Sequence, residues 1–171
     1  SYDVCRYGLI RRLIMRADYL EINSSVSNHR LKIKKVVADI TLTAEDSGSI
    51  VLVNPTAATT VTLPTLANAG SGWYCKIIAT EDAAATDGSM DAIINVDMGS
   101  GTNLANIGQV HEVDGTAGDF AVANDDFFVI TAAGSPGDYA DFWTDGTRWY
   151  FQGFVKDLSD SSVSANATTI A

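Results

Sequence analysis

His111 and Glu112 stand side by side in "VHEVDG", the residue types that metal binding or proton transfer would use. Adjacent residues of a strand point to opposite faces, and a zinc site needs three or four converging ligands, so this pair does not make one. The second histidine, His29, lies far away in sequence. Cys5 and Cys75 form no CxxC pair, and their separation fits two reduced, packed thiols better than a disulfide framework. Acidic residues are plentiful, as in "TEDAAATDG" (80–88) and Asp125-Asp126, yet no calcium loop with its spaced carboxylates and twelfth-position Glu is present. The nucleophile elbow G-x-S-x-G is missing, and the Gly-rich "GSGTNLANIG" lacks the Lys of a phosphate loop. The residues therefore give no catalytic or metal-binding set, and the expectation is a non-enzymatic protein without a cofactor.

The remaining chemical feature is aromatic. "WTDGTRWYFQG" (143–153) sets Asp145-Gly146, the composition of a two-residue type I′ turn, between two strand-like runs. In that register Phe142 faces Trp149, Trp143 faces Arg148 and Asp141 faces Tyr150. Alternation then gives an inner face of Ala140, Phe142, Thr144, Thr147, Trp149 and Phe151. The outer face carries Tyr139, Asp141, Trp143, Arg148, Tyr150 and Gln152. Arg148 is expected over the Trp143 ring, and Trp143, Arg148 and Tyr150 are the candidates for a subunit interface.

The elements that would hold this hairpin are short strands. "DITLT", "SIVLVN", "TTVTLP", "WYCKIIAT", "AIINV", "QVHEV", "FFVITA", "YADFWT" and "TRWYFQGFV" follow one another from residue 39 to 155, separated by Gly, Pro, Asn, Asp and Ser. That pattern predicts an all-β body, an antiparallel β-sandwich or barrel of jelly-roll type, over 38–156. Ahead of it, residues 1–37 read as an extended basic arm ending in an edge strand. In "RLKIKKVV" Leu31 and Ile33 alternate with basic residues, so the lysines are expected on the outer face. Residues 157–171 lack a core pattern and read as a flexible tail.

Charge follows the same division. Residues 1–35 hold Arg6, Arg11, Arg12, Arg16, Arg30, Lys32, Lys34 and Lys35 against three acidic residues, a balance of +5. The remainder holds three basic and eighteen acidic residues, a balance of −15, within a chain of net charge −10. Such asymmetry marks an arm that docks on something acidic, or back on its own acidic body or a neighbour's. An acidic body repels phosphates, so nucleic acid is not expected as a partner. No stretch reaches the ~18 apolar residues of a membrane span, and no secretory pattern is read at the start. A soluble protein made in a reducing cytoplasm is the expectation.

Residues 40–80, "ITLTAEDSGSIVLVNPTAATTVTLPTLANAGSGWYCKIIAT", and later "DFWTDGTRWYFQG" resemble β-rich modules of tailed-bacteriophage virion proteins. The resemblance covers about residues 39–155 and rests on a pattern of the form "LTxxDSG", "TVTLP" and "sDGTxWy". It implies a structural role for the motif residues: a turn at Asp46-Ser47-Gly48, a strand end at Pro64 and a closed hairpin at Asp145-Gly146. It further implies a homotrimeric capsid decoration, or cement, protein on the virion surface, assembled in the host cytoplasm. Its basic arm would bind the major capsid protein and bridge neighbouring subunits. A receptor- or glycan-binding head or tail fibre module is the alternative that the same pattern implies.

Overall fold

Period-two alternation of Val, Ile, Phe and Thr with polar residues builds strands, because it lets one face of a pleated segment be buried while the other meets solvent. A computed structural model describes residues 31–55, 57–80, 92–99, 106–112, 119–120, 126–132, 134–157 and 161–164. Among them lie β1 (Lys32–Val36), β2 (Ile40–Thr41), β3 (Ser49–Val53), β4 (Thr59–Thr62), β5 (Tyr74–Ala79) and β6 (Ile94–Asp97). They are followed by β7 (Ile107–Glu112), β8 (Asp119–Phe120), β9 (Phe127–Ile130), β10 (Tyr139–Thr144), β11 (Trp149–Val155) and β12 (Ser161–Ser164). One four-residue helix, α1 (Leu66–Ala69), is capped by Thr65, whose hydroxyl accepts from the Asn68 N–H.

The protein is all-β, in two sheets. Sheet A has the order β1-β3-β5-β10-β11-β7-β8, and sheet B the order β12-β9-β6-β4-β2. Through β6 the chain alternates between them, so β1, β3 and β5 are parallel neighbours in sheet A while β2, β4 and β6 are parallel neighbours in sheet B. The uniformly antiparallel pairing expected from the strand spacing is therefore corrected to mixed pairing. A parallel pair needs a long crossover, and here a strand of the opposite sheet supplies it. Strand spacing along a chain does not say which sheet each strand joins.

The inner faces of the two sheets share one core, with Val51, Ile77, Phe142, Trp149 and Phe151 from sheet A and Val61, Ile94, Val96, Phe128 and Ile130 from sheet B. Phe128 of β9 reaches Phe142 at 6.0 Å and Phe151 at 5.6 Å between ring centroids. Trp73 meets Trp149 edge-on at 5.3 Å and donates its indole N–H to the Thr43 carbonyl. Cys75 is a free thiol buried in this core, which pushes its pKa upward. Asp138 is buried as well; burial raises its pKa, against the N–H groups of Ser135 and Lys156 that its carboxylate accepts.

Two more expectations change. Residues 161–164, placed in a flexible tail, form β12 and pair antiparallel with β9. The edge strand β1 is found where the alternation put it, but with its faces exchanged. Val36 is buried, the Lys34 ammonium meets Asp46 at 2.9 Å, and Lys32 donates to the Glu45 carbonyl at 2.8 Å, all on the body side. Ile33 and Val37 are each 62% exposed on the other side. Alternation separates two faces without naming the inner one. The short 3₁₀ turn Ala44–Asp46, with its carboxylate and carbonyl, decides it by giving the lysines partners.

Candidate interaction surface

Across sheet A, cross-strand registers place side chains in straight rows. Trp143 pairs with Tyr74 on one side and Tyr150 on the other, and Tyr150 pairs with Ile107, giving a row Tyr74–Trp143–Tyr150–Ile107 across β5, β10, β11 and β7. Two residues further along lies Ile50–Lys76–Asp141–Gln152–Gln109, and beyond it Leu52–Ile78–Tyr139–Phe154–His111. These rows share the outer face, because the intervening residues Cys75, Ile77, Ala140, Phe142 and Phe151 belong to the core.

A sheet face that meets water is ordinarily polar. This one is not. Six large apolar side chains are exposed among the described residues. Four of them, Ile33, Tyr74, Ile107 and Trp143, stand on the outer face of sheet A. Val37 adjoins it just past β1, lining a groove with Lys35 and Leu52. The sixth, Leu31, immediately precedes β1. The rings are ordered against one another: Trp143 and Tyr150 stack at 6.1 Å with planes 10° apart, Tyr139 and Phe154 at 5.1 Å, and Phe154 and His111 at 5.2 Å. Lys76 places its ammonium 3.9 Å from the Tyr139 ring centre and 3.2 Å from Asp141. The Tyr74 hydroxyl donates to Asp141 at 2.6 Å; burial and that bond raise the phenol's pKa. Ile107, Gln109, Trp143, Tyr150 and Gln152 line an open groove of about 270 Å³.

The turn that closes the hairpin is longer than the two residues expected. Thr144 pairs with Trp149 and Phe142 with Phe151, a register displaced by two, leaving residues 145–148 as the loop. Asp145 sets this geometry: one carboxylate oxygen accepts from the Thr147 N–H and hydroxyl and from the Arg148 N–H, and the other accepts from the Tyr150 hydroxyl at 2.8 Å. Side-chain capping of this kind lets Asp build a turn from its own loop. Gly146, at φ 90°, supplies the left-handed residue. Because the displacement is even, every side chain that stays paired keeps the face assigned to it, whereas Thr147, assigned to the inner face, and Arg148, assigned to the outer face, lie in the loop, with Thr147 exposed.

Trp143 and Tyr150 thus come together directly, while Arg148 sits in the loop. The expected Arg148–Trp143 contact is replaced: Tyr150 stacks on Trp143, and the cation–π contact of this face is Lys76 over Tyr139. The Arg148 Nε is buried without a hydrogen-bond partner. Of the basic residues assigned to a capsid-binding arm, Lys32 and Lys34 are turned to the body, Lys35 is exposed, and Arg6, Arg11, Arg12, Arg16 and Arg30 lie outside the described residues. Tyr74, Ile107 and Ile33 were missed as surface groups. The signal for Tyr74 was its parity with Lys76, opposite to Trp73 and Cys75.

Thr147 and Tyr150 hydrogen bonds hold the Asp145 carboxyl well below the usual carboxylate range. A group whose pKa is lower in the folded than in the unfolded chain stabilises the fold above its unfolded value, about 3.9, and loses that contribution as pH falls through the folded value. Asp46 acts in the same direction, burial raising its pKa but hydrogen bonds from Lys34 and Thr43 lowering it overall. Asp145→Ala is expected to lower the melting temperature at pH 7 and to flatten its decline between pH 4 and pH 2. Thermal melts across that range check this, and curves that stay parallel to wild type would rule out the cap. No protein-family model matches the chain, and no curated protein or solved structure is significantly similar to it.

Proposed function

We propose that the protein is a non-enzymatic structural protein of a virion, a homotrimeric capsid decoration protein. In this role it binds the outer shell through its N-terminal arm and bridges neighbouring major capsid subunits. The virion setting is supported by the resemblance of residues 40–80 and of the hairpin around Asp145-Gly146. The observation that carries the structural role is the apolar outer face of sheet A, where exposed large hydrophobic side chains gather on one surface. Contiguous apolar patches of this kind mark association sites on soluble proteins.

A glycan-binding fibre module would need open ring faces for sugars to stack on. Here Tyr139 has Lys76 over its ring and Phe154 stacked beside it, and Trp143 and Tyr150 stack on each other, so the pattern fits protein packing better. Cement action then consists of contacts: arms that bind only the assembled shell add interface area and stabilise it by mass action. The test is co-sedimentation with empty shells of the virus that carries the chain. Full-length protein with Arg6, Arg11, Arg12, Arg16 and Arg30 changed to Ser is expected to stay folded and lose at least tenfold in shell affinity. Undiminished binding would refute the arm mechanism.

A further inference from the structure

Among the described residues β1 is an edge of sheet A, paired with β3 alone. The Val36 carbonyl accepts the Asn54 N–H at 2.8 Å, and backbone groups alternate sides along a strand. Lys34 and Val36 therefore direct their N–H and C=O groups to β3, while Ile33 and Lys35 turn theirs to the open edge. The side chains of the same two residues stand on the outer face of the sheet, with Ile33 and the following Val37 each 62% exposed. Past the strand end, Lys35, Val37, Leu52, Asn54 and Thr80 line a groove of about 290 Å³. The Asn54 Oδ1 is buried without a hydrogen-bond partner.

We infer that the open edge of β1 takes an added strand from a partner protein, an extended segment with a carboxylate opposite Lys35 and apolar side chains opposite Ile33 and Val37. The strand is defined by this chemistry whether or not a virion supplies it. Unpaired backbone groups at an edge match another backbone, whose hydrogen bonds give affinity while its alternate side chains give selectivity. The side chains of β1 choose the sign: three lysines and no carboxylate, with Asp46 offsetting Lys34 alone. The acidic body repels any anion, but exposed charges more than about 8 Å apart are largely screened, so a strand laid beside the edge meets the lysines first. A polyphosphate, or the phosphate backbone of a nucleic acid, brings acceptors only, which leaves the open C=O groups and the Asn54 Oδ1 without donors. A second copy offers no matching edge among its described strands. Its own β1 sets lysine against lysine, β8 and β2 are two residues long, and β12 carries no carboxylate. Residues 1–30 hold five arginines against three carboxylates and so have the sign of β1 itself.

Backbone amide hydrogen exchange, read by NMR on full-length protein, tests this with the peptide acetyl-Thr-Val-Thr-Glu-Thr-Val-Thr-amide. Its sequence is the same in both directions, so it matches Ile33, Lys35 and Val37 whichever way it runs. At a concentration about ten times its Kd it is expected to slow exchange at Ile33 and Lys35 about tenfold and to leave Lys34 and Val36 unchanged. Lys in place of the Glu is expected to abolish this slowing. Lys35→Glu, a change at an exposed site, is expected to reverse the preference between the two peptides. Unchanged exchange at Ile33 and Lys35 in millimolar peptide would overturn the added strand. Equal slowing by both peptides, or by inorganic polyphosphate, would overturn its stated chemistry. Exchange at both amides that slows with protein concentration alone would make a second copy the occupant and overturn the partner strand as well.

Discussion

Truncating Phe128 to alanine is expected to cost about 3–5 kcal/mol of folding stability, the range for removing a large aromatic ring from a packed core. Phe128 has no exposed surface and belongs to β9 of sheet B, yet its closest ring neighbours are Phe142 and Phe151 of sheet A. The side chain is therefore a contact between sheets, and three rings converge there. The fit is tight opposite it: a Cβ on Gly153 would come within 3.1 Å of the Phe128 ring. The space left by the ring cannot be filled by movement of one loop, because its walls are β10 and β11, each hydrogen-bonded to neighbours on both sides. Domains of this size are stable by about 5–15 kcal/mol, so the loss takes a large share of the total. Urea unfolding measures it as a lower midpoint at unchanged slope. A cost below about 1 kcal/mol would mean that the sheets are not joined at Phe128. Phe128→Leu, which keeps most of the volume, is expected to lose much less.

The position of most strands was legible because period two is a local property. "YADFWT" and "WYFQGFV" alternate buried and accessible residues as their parity predicts, and that survives the displaced register because the displacement is even. Three features were not local. The pairing partner of each strand depends on which sheet the chain enters next, so the parallel β1-β3-β5 order left no mark in the spacing. The orientation of β1 depends on Glu45 and Asp46, more than ten residues away, which attract Lys32 and Lys34 inward. The strands β8 and β12 are held by backbone pairing to β7 and β9, and their sequences, "DF" and "SSVS", carry no alternation to read. The candidate surface was half legible for the same reason. Trp143 and Tyr150 share one hairpin and could be placed together from sequence, whereas Tyr74, Ile107 and Ile33 join them only through pairings between distant segments.

Gly108→Ala is expected to destabilise the fold by about 3 kcal/mol, the upper end of the usual cost of forcing an extra methyl group into a filled core. Gly108 lies on β7 directly opposite Phe151, and a Cβ there would sit 2.3 Å from two carbons of that ring and 2.4 Å from a third. The backbone is not in the left-handed region, so conformational strain contributes nothing; Ala in a strand gains a little from its smaller unfolded-state entropy. The whole effect is steric. Phe151 cannot swing away, since Phe142 stacks on it at 5.9 Å and Phe128 packs at 5.6 Å. The remaining way to relieve the overlap is for β7 to shift against β11, and that shift carries Ile107 out of the row it forms with Tyr150. Loss of stability and a disturbed outer-face row are thus expected together, although Gly108 faces the core. A double-mutant cycle with Phe151→Leu isolates the cause. In the Gly108→Ala background the smaller side chain is expected to recover stability, whereas alone it loses some, so the two changes are strongly non-additive. Additive urea midpoints would show that the ring is not what excludes a side chain at position 108.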